Sequence, residues 1–379
     1  MIYLDNAATT LQKPEAVYRR VAECLPLCAN PGRSGHRLSV QTARAVYDAR
    51  ETVAAFFGIA DAMRVVFGLN CTDALNLALH GGLQSGDHVV TTSVEHNSVL
   101  RPLNALALQG VAHTIIETGP GGTLDMAAVA AAIRPDTKML AVTHASNLTG
   151  ILNPLAELGA LCRKHGILLL VDAAQSAGCV PIDVQALQID LLAVPGHKAL
   201  FGIQGTGFLY VGPRAHLREV RQGGTGSQSS QPFQPDVLPD RYESGTLNVP
   251  GIVSVAAGIE YINTVGIEAV EAHDRALAKQ MLEGLAAIPG VTVYGNADAA
   301  RRLPVVAFNI AGLPSAETAT RLDIDYDIAA RSGFHCAPLA HRSFGTANEG
   351  SVRISGSWFT TRQDVEAALR AVEALAKKA

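Results

Sequence analysis

Short apolar runs alternate with amphipathic stretches over much of the chain. RVVFG (from residue 64), HVVTTS (88), KMLAVTH (138), GILLLVDAA (166) and DLLAVPG (190) have the length and β-branched content of buried strands. Between them, CTDALNLALHGGL, NSVLRPLNALALQG, DMAAVAAAIR and PLAELGALCRKHG carry helical spacing. This alternation predicts an α/β fold with right-handed crossovers and a mostly parallel sheet flanked by helices. GTGFLYVG follows a strand with no helix between, which predicts an antiparallel member of the sheet. Residues 13–60 read as helical, broken at NPGRSGHRLS. From about residue 265 the pattern changes to a long amphipathic helix, strand-like VTVYG, LPVVAFNIAG and SVRISGSWF, and a terminal helix. That succession predicts a smaller α+β domain. The segment 222–240 is a long polar loop, a type that is usually either functional or mobile.

Composition changes this picture little. The 379 residues are 48% apolar and 17% charged with net charge −4, as in ordinary soluble proteins. No long basic run suits nucleic acid or an anionic membrane surface. MIYLDNAATT lacks the basic and apolar regions of a signal peptide, and the longest apolar runs are too short to span a bilayer. The six cysteines (24, 28, 71, 162, 179 and 336) form no CxxC, and Cys24 and Cys28 lack a second ligand pair. Neither a disulfide framework nor a metal site is expected, and a reducing cytoplasm is the simplest setting.

Candidate chemistry follows the strand ends, where open α/β sheets bind ligands. Asn70, Cys71 and Thr72 open a helix, where unpaired N–H groups suit a phosphate or simply an N-cap. His96 fits either a ring-stacking role or a loop. Asn147 fits a ligand contact or a turn before Gly150. Asp172 ends an apolar run, so its carboxylate needs a cationic partner; Gln175 can share its site. Lys198, in PGHKALFG, fits a Schiff-base lysine or a solvated one. A phosphate cup, a stacking histidine, an aspartate for a ring nitrogen and a lysine for an aldehyde together fit pyridoxal 5′-phosphate (PLP).

The motifs YLDNAATT, GRSGHRLS, CTDALNL, EHNS, NLTG, VDAAQSAG, PGHKALFG, RYESGTLN, RSGFHCAP and VRIS occur in an order that resembles the cysteine desulfurase/selenocysteine lyase family of class V PLP enzymes. The resemblance implies fold type I, with residues 13–262 as a large PLP-binding domain and 1–12 with 263–379 as a small one. It assigns Lys198 the Schiff base, Asp172 the ring nitrogen, Asn147 and Gln175 the ring hydroxyl, and His96 the ring face. His197 and the amides of Cys71 and Thr72 hold the phosphate. A homodimer is implied, with Thr225 or Gly226 reaching the partner's phosphate. Arg353 binds the substrate carboxylate, Arg331 assists, and Asn30, Arg33 and His36 line the mouth. Pro195, Cys71 and Phe334 depart from the family pattern, at positions that bear on substrate identity and cofactor affinity.

Cys336 lies in AARSGFHCAPLAHRSFG, which reads as a loop with Arg331, His335, His341 and Arg342 nearby. The resemblance implies that its thiolate takes sulfur from L-cysteine as a persulfide, releases L-alanine and serves a SufE-, SufU- or IscU-like carrier. A cationic neighbour, arginine or protonated histidine, would favour the thiolate. Selenocysteine lyase, transamination, epimerisation and β-elimination are the rival reactions. Cys336 discriminates, since transamination needs no thiol. A PLP-binding protein without catalysis is the rival outside enzymes.

Overall fold

The computed structural model describes residues 1–32, 34–119 and 121–379. After the short strand β1 (Ile2–Tyr3), helices α1 (Glu15–Cys24) and α2 (Arg37–Phe56) flank the NPGRSGHRLS break. The alternating region folds as β2 (Val65–Gly68), α3 (Cys71–Gly82), β3 (His88–Thr92), α4 (Asn97–Ala107), β4 (Ala112–Ile116), α5 (Met126–Ala131), β5 (Thr137–Thr143), α6 (Leu155–His165), β6 (Leu168–Asp172), β7 (Leu191–Pro195) and β8 (Gly207–Val211). These strands make one seven-stranded sheet in the order β2-β8-β7-β6-β5-β3-β4. The strands from β7 through β6, β5 and β3 to β4 pair parallel, whereas β8 pairs antiparallel with both β7 and β2. GTGFLYVG is thus the antiparallel member that its missing crossover predicts. Separate apolar clusters cover the two faces, one with Leu140, Leu169 and Val171, the other with Met139, Leu168 and Leu170. Burial on both faces explains why the strands read as unbroken apolar runs.

The next helix, α7 (Val249–Val265), was not expected. Eleven of its residues are buried, so it shows little polar face from which to read a period. It packs against α1, α2 and the loop that carries Lys198. A Cβ on Gly258 would lie 1.9 Å from the Leu200 carbonyl oxygen, so only glycine allows this approach. No single helix among the described residues is long and apolar enough to cross a membrane.

The remainder comprises α8 (Ile267–Ala286), β9 (Val291–Val293), β10 (Val305–Ile310), α9 (Ser315–Tyr326), β11 (Ile328–Ala329), β12 (Arg331–Gly333), α10 (Pro338–Ser343), β13 (Ser351–Ser355) and α11 (Arg362–Ala376). Four strands form an antiparallel sheet in the order β12-β13-β10-β9, with its own apolar cluster around Phe308, Val352 and Leu375. β1 pairs parallel with β11, and Leu4 joins that cluster, so the first residues pack with the last hundred. The run 329–345 is more structured than a loop: it holds β12 and α10, with Cys336 in the turn between them. The segment 222–240 carries no helix or strand, as its composition predicts.

Candidate active site

A cavity of about 210 Å³ opens beyond the carboxyl ends of β5, β6 and β7 and the N-terminus of α3. Asp172, the last residue of β6, is buried in its wall. Its Oδ1 accepts the Ala174 N–H at 2.9 Å and the Cys71 thiol at 3.4 Å. Among the described residues no hydrogen bond reaches Oδ2, which leaves that oxygen for a cationic or N–H ligand group. Lys198 stands on the same wall, in a tight loop closed by Gly202 N–H to the Gly196 carbonyl at 2.8 Å. Burial lowers the Lys198 ammonium pKa, against the pull of Asp172. A lowered ammonium pKa gives an amine able to attack a carbonyl.

The N-termini of α3 and α4 lie side by side at this cavity. Thr72 Oγ1 and Ser98 Oγ, one from each first turn, are 2.8 Å apart, and both line the cavity. His96 caps α4 by accepting the Ser98 N–H on Nδ1 at 3.0 Å. That bond assigns the proton of the neutral ring to Nε2. Burial pushes the His96 pKa down. His197, whose Nδ1 meets Thr9 Oγ1 at 3.0 Å, is pushed down to about 4 by burial and by nearby Lys198 and Lys13. Two helix N-termini with neutral donors make an anion cup.

Asn147 and Gln175 complete the inner wall. Gln175 Nε2 donates to the Ala7 carbonyl at 3.0 Å. Asn147 Nδ2 donates to the His335 carbonyl at 2.5 Å, while its buried Oδ1 has no partner among the described residues. An orphaned acceptor in a cavity wall fits a ligand hydroxyl. The free Asp172 oxygen, the Lys198 amine, the anion cup and this acceptor therefore suit the polar groups of PLP.

Arg353, central in β13, and Arg331, opposite it in β12, form the outer wall. Arg353 is almost wholly buried: one Nη donates to Asp5 Oδ1 at 2.7 Å, the other to the Asn147 carbonyl at 2.8 Å, and Nε has no partner among the described residues. Arg331 Nη2 lies 3.9 Å from Cys336 Sγ. Cys336 is half-buried and stands just outside the wall that its neighbours Arg331 and His335 help to form. Its turn is fixed by Asn97 N–H donating to the Cys336 carbonyl at 2.7 Å. His335 and Cys336 take left-handed conformations, φ 48° and 57°, at a cost of about 1 kcal/mol or more each. His335 Nε2 donates to the Ser351 carbonyl at 3.0 Å, and burial pushes its pKa down to about 3. His341 is buried as well, pushed down by burial, and its ring stacks on His335. Burial disfavours the charged form of both rings, which leaves Arg331 as the near guanidinium to Cys336, with Arg353 also acting on it. Phe334 is half-exposed, edge-on to His341.

Not every expected residue meets here. Asn30 and His36 do not line this cavity of their own chain, contrary to the expectation for its mouth. His36 turns its Nδ1 back to accept the Ser39 N–H and caps α2. Asn30 shares a second cavity, of about 280 Å³, with Thr225 and Gly226, which are likewise absent from the Lys198 cavity. Arg33 lies outside the described residues. Two residues escaped the sequence reading. Ser98 sits in the quoted EHNS without an assigned role, and bridges His96 to Thr72. Asp5 sits in the quoted YLDNAATT, whose length flagged it without assigning its role.

A residue path from 2 to 368 matches the family pattern described as aminotransferase class-V. A probable cysteine desulfurase of Methanothermobacter thermautotrophicus is 33% identical over 373 residues, covering 96% of this chain and 92% of that one. This chain belongs to the cysteine desulfurase family of class V aminotransferases. The apo cysteine desulfurase of Thermococcus onnurineus superposes with a TM-score of 0.93 at 35% identity, covering 100% of this chain and 95% of that chain. The cysteine desulfurase CsdA of Escherichia coli, in an S-sulfonic acid form, gives 0.88 at 29% identity, again over 100% and 95%. As in the relatives that it matches, the fold is α/β with helices on a mixed, largely parallel sheet.

Behind Lys198 this cysteine desulfurase relative holds a smaller cavity, about 30 Å³, lined by Cys179 and by Asp274 of α8. Asp274 is buried, hydrogen-bonds Cys179 and leaves Oδ1 unpartnered; burial pushes its carboxyl up to about 7. The folded pKa lies above the ordinary 3.8, so the stability it contributes is complete below 3.8 and gone once pH rises past about 7. Asp274→Asn should therefore gain on the wild type between pH 4 and 7 and keep a constant difference above. Denaturant titration of both proteins across that range checks it; a flat difference from pH 4 to 8 contradicts it.

Proposed function

We propose that the protein is a PLP-dependent cysteine desulfurase, converting L-cysteine to L-alanine and carrying the sulfur as a persulfide on Cys336. The observation that carries this reading is a single cavity joining Lys198 and Asp172 to two arginines, with a thiol 3.9 Å from one of them. PLP, when bound, supplies an electron sink for negative charge at the substrate's α-carbon. Asp172 would hold the proton on the ring nitrogen through its free oxygen, His96 would cover the ring face, and Asn147 and Gln175 would meet the ring hydroxyl. His197, Thr72 and the amides at Cys71 and Thr72 would hold the phosphate.

Arg353 and Arg331 orient the substrate carboxylate. Lys198 Nζ takes the α-proton. The Cys336 thiolate attacks the substrate sulfur: an S–S bond forms, the C–S bond breaks, and its electron pair stays with carbon. A proton on that carbon completes alanine. Sulfur leaves oxidised to the persulfide level, and carbon is reduced by the same two electrons. Arg331 Nη2 lies 3.9 Å from the attacking sulfur. Cys336 lies outside the inner wall, so the persulfide would face an acceptor protein of the SufE-, SufU- or IscU-like class. We also propose a homodimer, in which Thr225, Gly226 and Asn30, grouped away from their own chain's Lys198, serve the partner's site.

Incubation with L-cysteine, L-selenocysteine and L-alanine, with sulfide, alanine and protein persulfide measured, tests this. Cys336→Ala should lose sulfide release from L-cysteine by about 100-fold or more and lose the persulfide. Undiminished sulfide from that variant would sink the persulfide route. Turnover of L-selenocysteine but not of L-cysteine by the wild type would assign a selenocysteine lyase instead; selenocysteine turnover by Cys336→Ala alone would not, since selenium can leave without a thiol's help.

A further inference from the structure

Cys71 is a thiol that the proposed reaction does not use. It opens α3, it is buried, and its Sγ lies 3.4 Å from Asp172 Oδ1. We propose that Cys71 is a positioning residue for the cofactor's ring nitrogen: its thiol donates to Asp172 and sets how firmly that carboxylate holds the ring proton. The inference rests on the PLP reading above.

The geometry separates the two oxygens of Asp172. Oδ1 takes the Ala174 N–H and the Cys71 thiol, and Oδ2 remains for the ligand. Each donor on Oδ1 stabilises the ionised carboxylate and weakens its pull on a proton at Oδ2. Burial of Asp172 strengthens that influence, because little solvent competes. A thiol is a weaker donor than a hydroxyl. Cysteine at this position therefore leaves Asp172 a stronger base than serine or threonine would, and a weaker one than alanine would.

Cys71 is not a second nucleophile. Burial, then the negative charge of Asp172, push its thiol well above the ordinary value, so it stays protonated and stays a donor. The other charged or titratable groups acting on this pair are Lys198, beyond β7, and Glu95 and His96, ahead of α4. Cys71 and Cys336 are thus divided: one faces a carboxylate and holds its proton, the other faces Arg331.

The test uses the holoenzyme and the pH titration of its visible cofactor band. Cys71→Ser and Cys71→Ala should move the midpoint in opposite directions, by about half a unit or more each. A purely structural role would move both the same way or move only thermal stability. A second measurement needs only a conservative change. The infrared S–H stretch that disappears in Cys71→Ser should shift to higher frequency in Asp172→Asn, where the charged acceptor is gone. Midpoints unmoved in both variants, or an S–H band indifferent to Asp172, would overturn the inference while leaving the cofactor reading intact. A wild-type protein that takes up no PLP would overturn both.

Discussion

Lys198→Ala is expected to abolish turnover of L-cysteine, by about 10⁴-fold or more, while the protein still folds. Two functions would vanish together: the covalent hold on an aldehyde and the base that moves the α-proton. The local structure predicts that the fold survives. The loop is closed by main-chain bonds, from Gly202 to Gly196 and from Phe201 to Lys198, and not by the amine. Borohydride treatment followed by peptide mass analysis gives a readout separate from activity. In the wild type it should add the reduced cofactor to the peptide carrying residue 198, and in the variant it should add nothing. Cofactor attached at another lysine would refute the assignment, and alanine production retained within tenfold would refute the role.

Arg50→Ala should be the most destabilising single change in the α2 region, costing about 3–5 kcal/mol. Arg50 grips Glu243 through both Nη atoms, at 2.8 and 2.9 Å, and both side chains are nearly inaccessible to solvent. Glu243 Oε1 also accepts the Phe67 N–H at 2.6 Å, and Arg50 lies over the Phe67 ring. Removing the guanidinium leaves a nearly inaccessible carboxylate with one main-chain donor. Burial already pushes the Glu243 carboxyl up despite Arg50. Arg50→Met combined with Glu243→Leu should recover most of the loss, since the pair removed together leaves no orphaned charge. Denaturant midpoints of the single and double variants decide this. A single variant within 1 kcal/mol of the wild type would show that water reaches Glu243.

The strands were legible because each is a continuous apolar run buried on both faces. β4 was not, since only Ile116 of its five residues is buried at the sheet edge. α7 hid for the opposite reason, apolar nearly all round. β12 and α10, three and six residues long, are too short to show a period among glycines and prolines. Within the site, Lys198, Asp172, Asn147 and His96 each lie at or a few residues beyond the carboxyl end of a strand, so position along the chain revealed them. The neutrality of His335 and His341 depends on burial by distant segments, which no local pattern carries. His36 was placed at the mouth by resemblance alone, and nothing in its local sequence separates a helix-capping histidine from a ligand one.

The grip of Asp5 on Arg353 spans 348 residues. During synthesis the chain emerges from the ribosome in order, so Asp5, Asp172 and Lys198 are all available long before their last companion. β12 and β13 arrive only when the chain is nearly complete, bringing both arginines and Cys336 with them. A growing chain would thus hold Asp172 and Lys198 while still lacking the two arginines and the Cys336 thiol that the proposed reaction uses. On that proposal, sulfur chemistry would be withheld from unfinished chains by the order in which the residues are made.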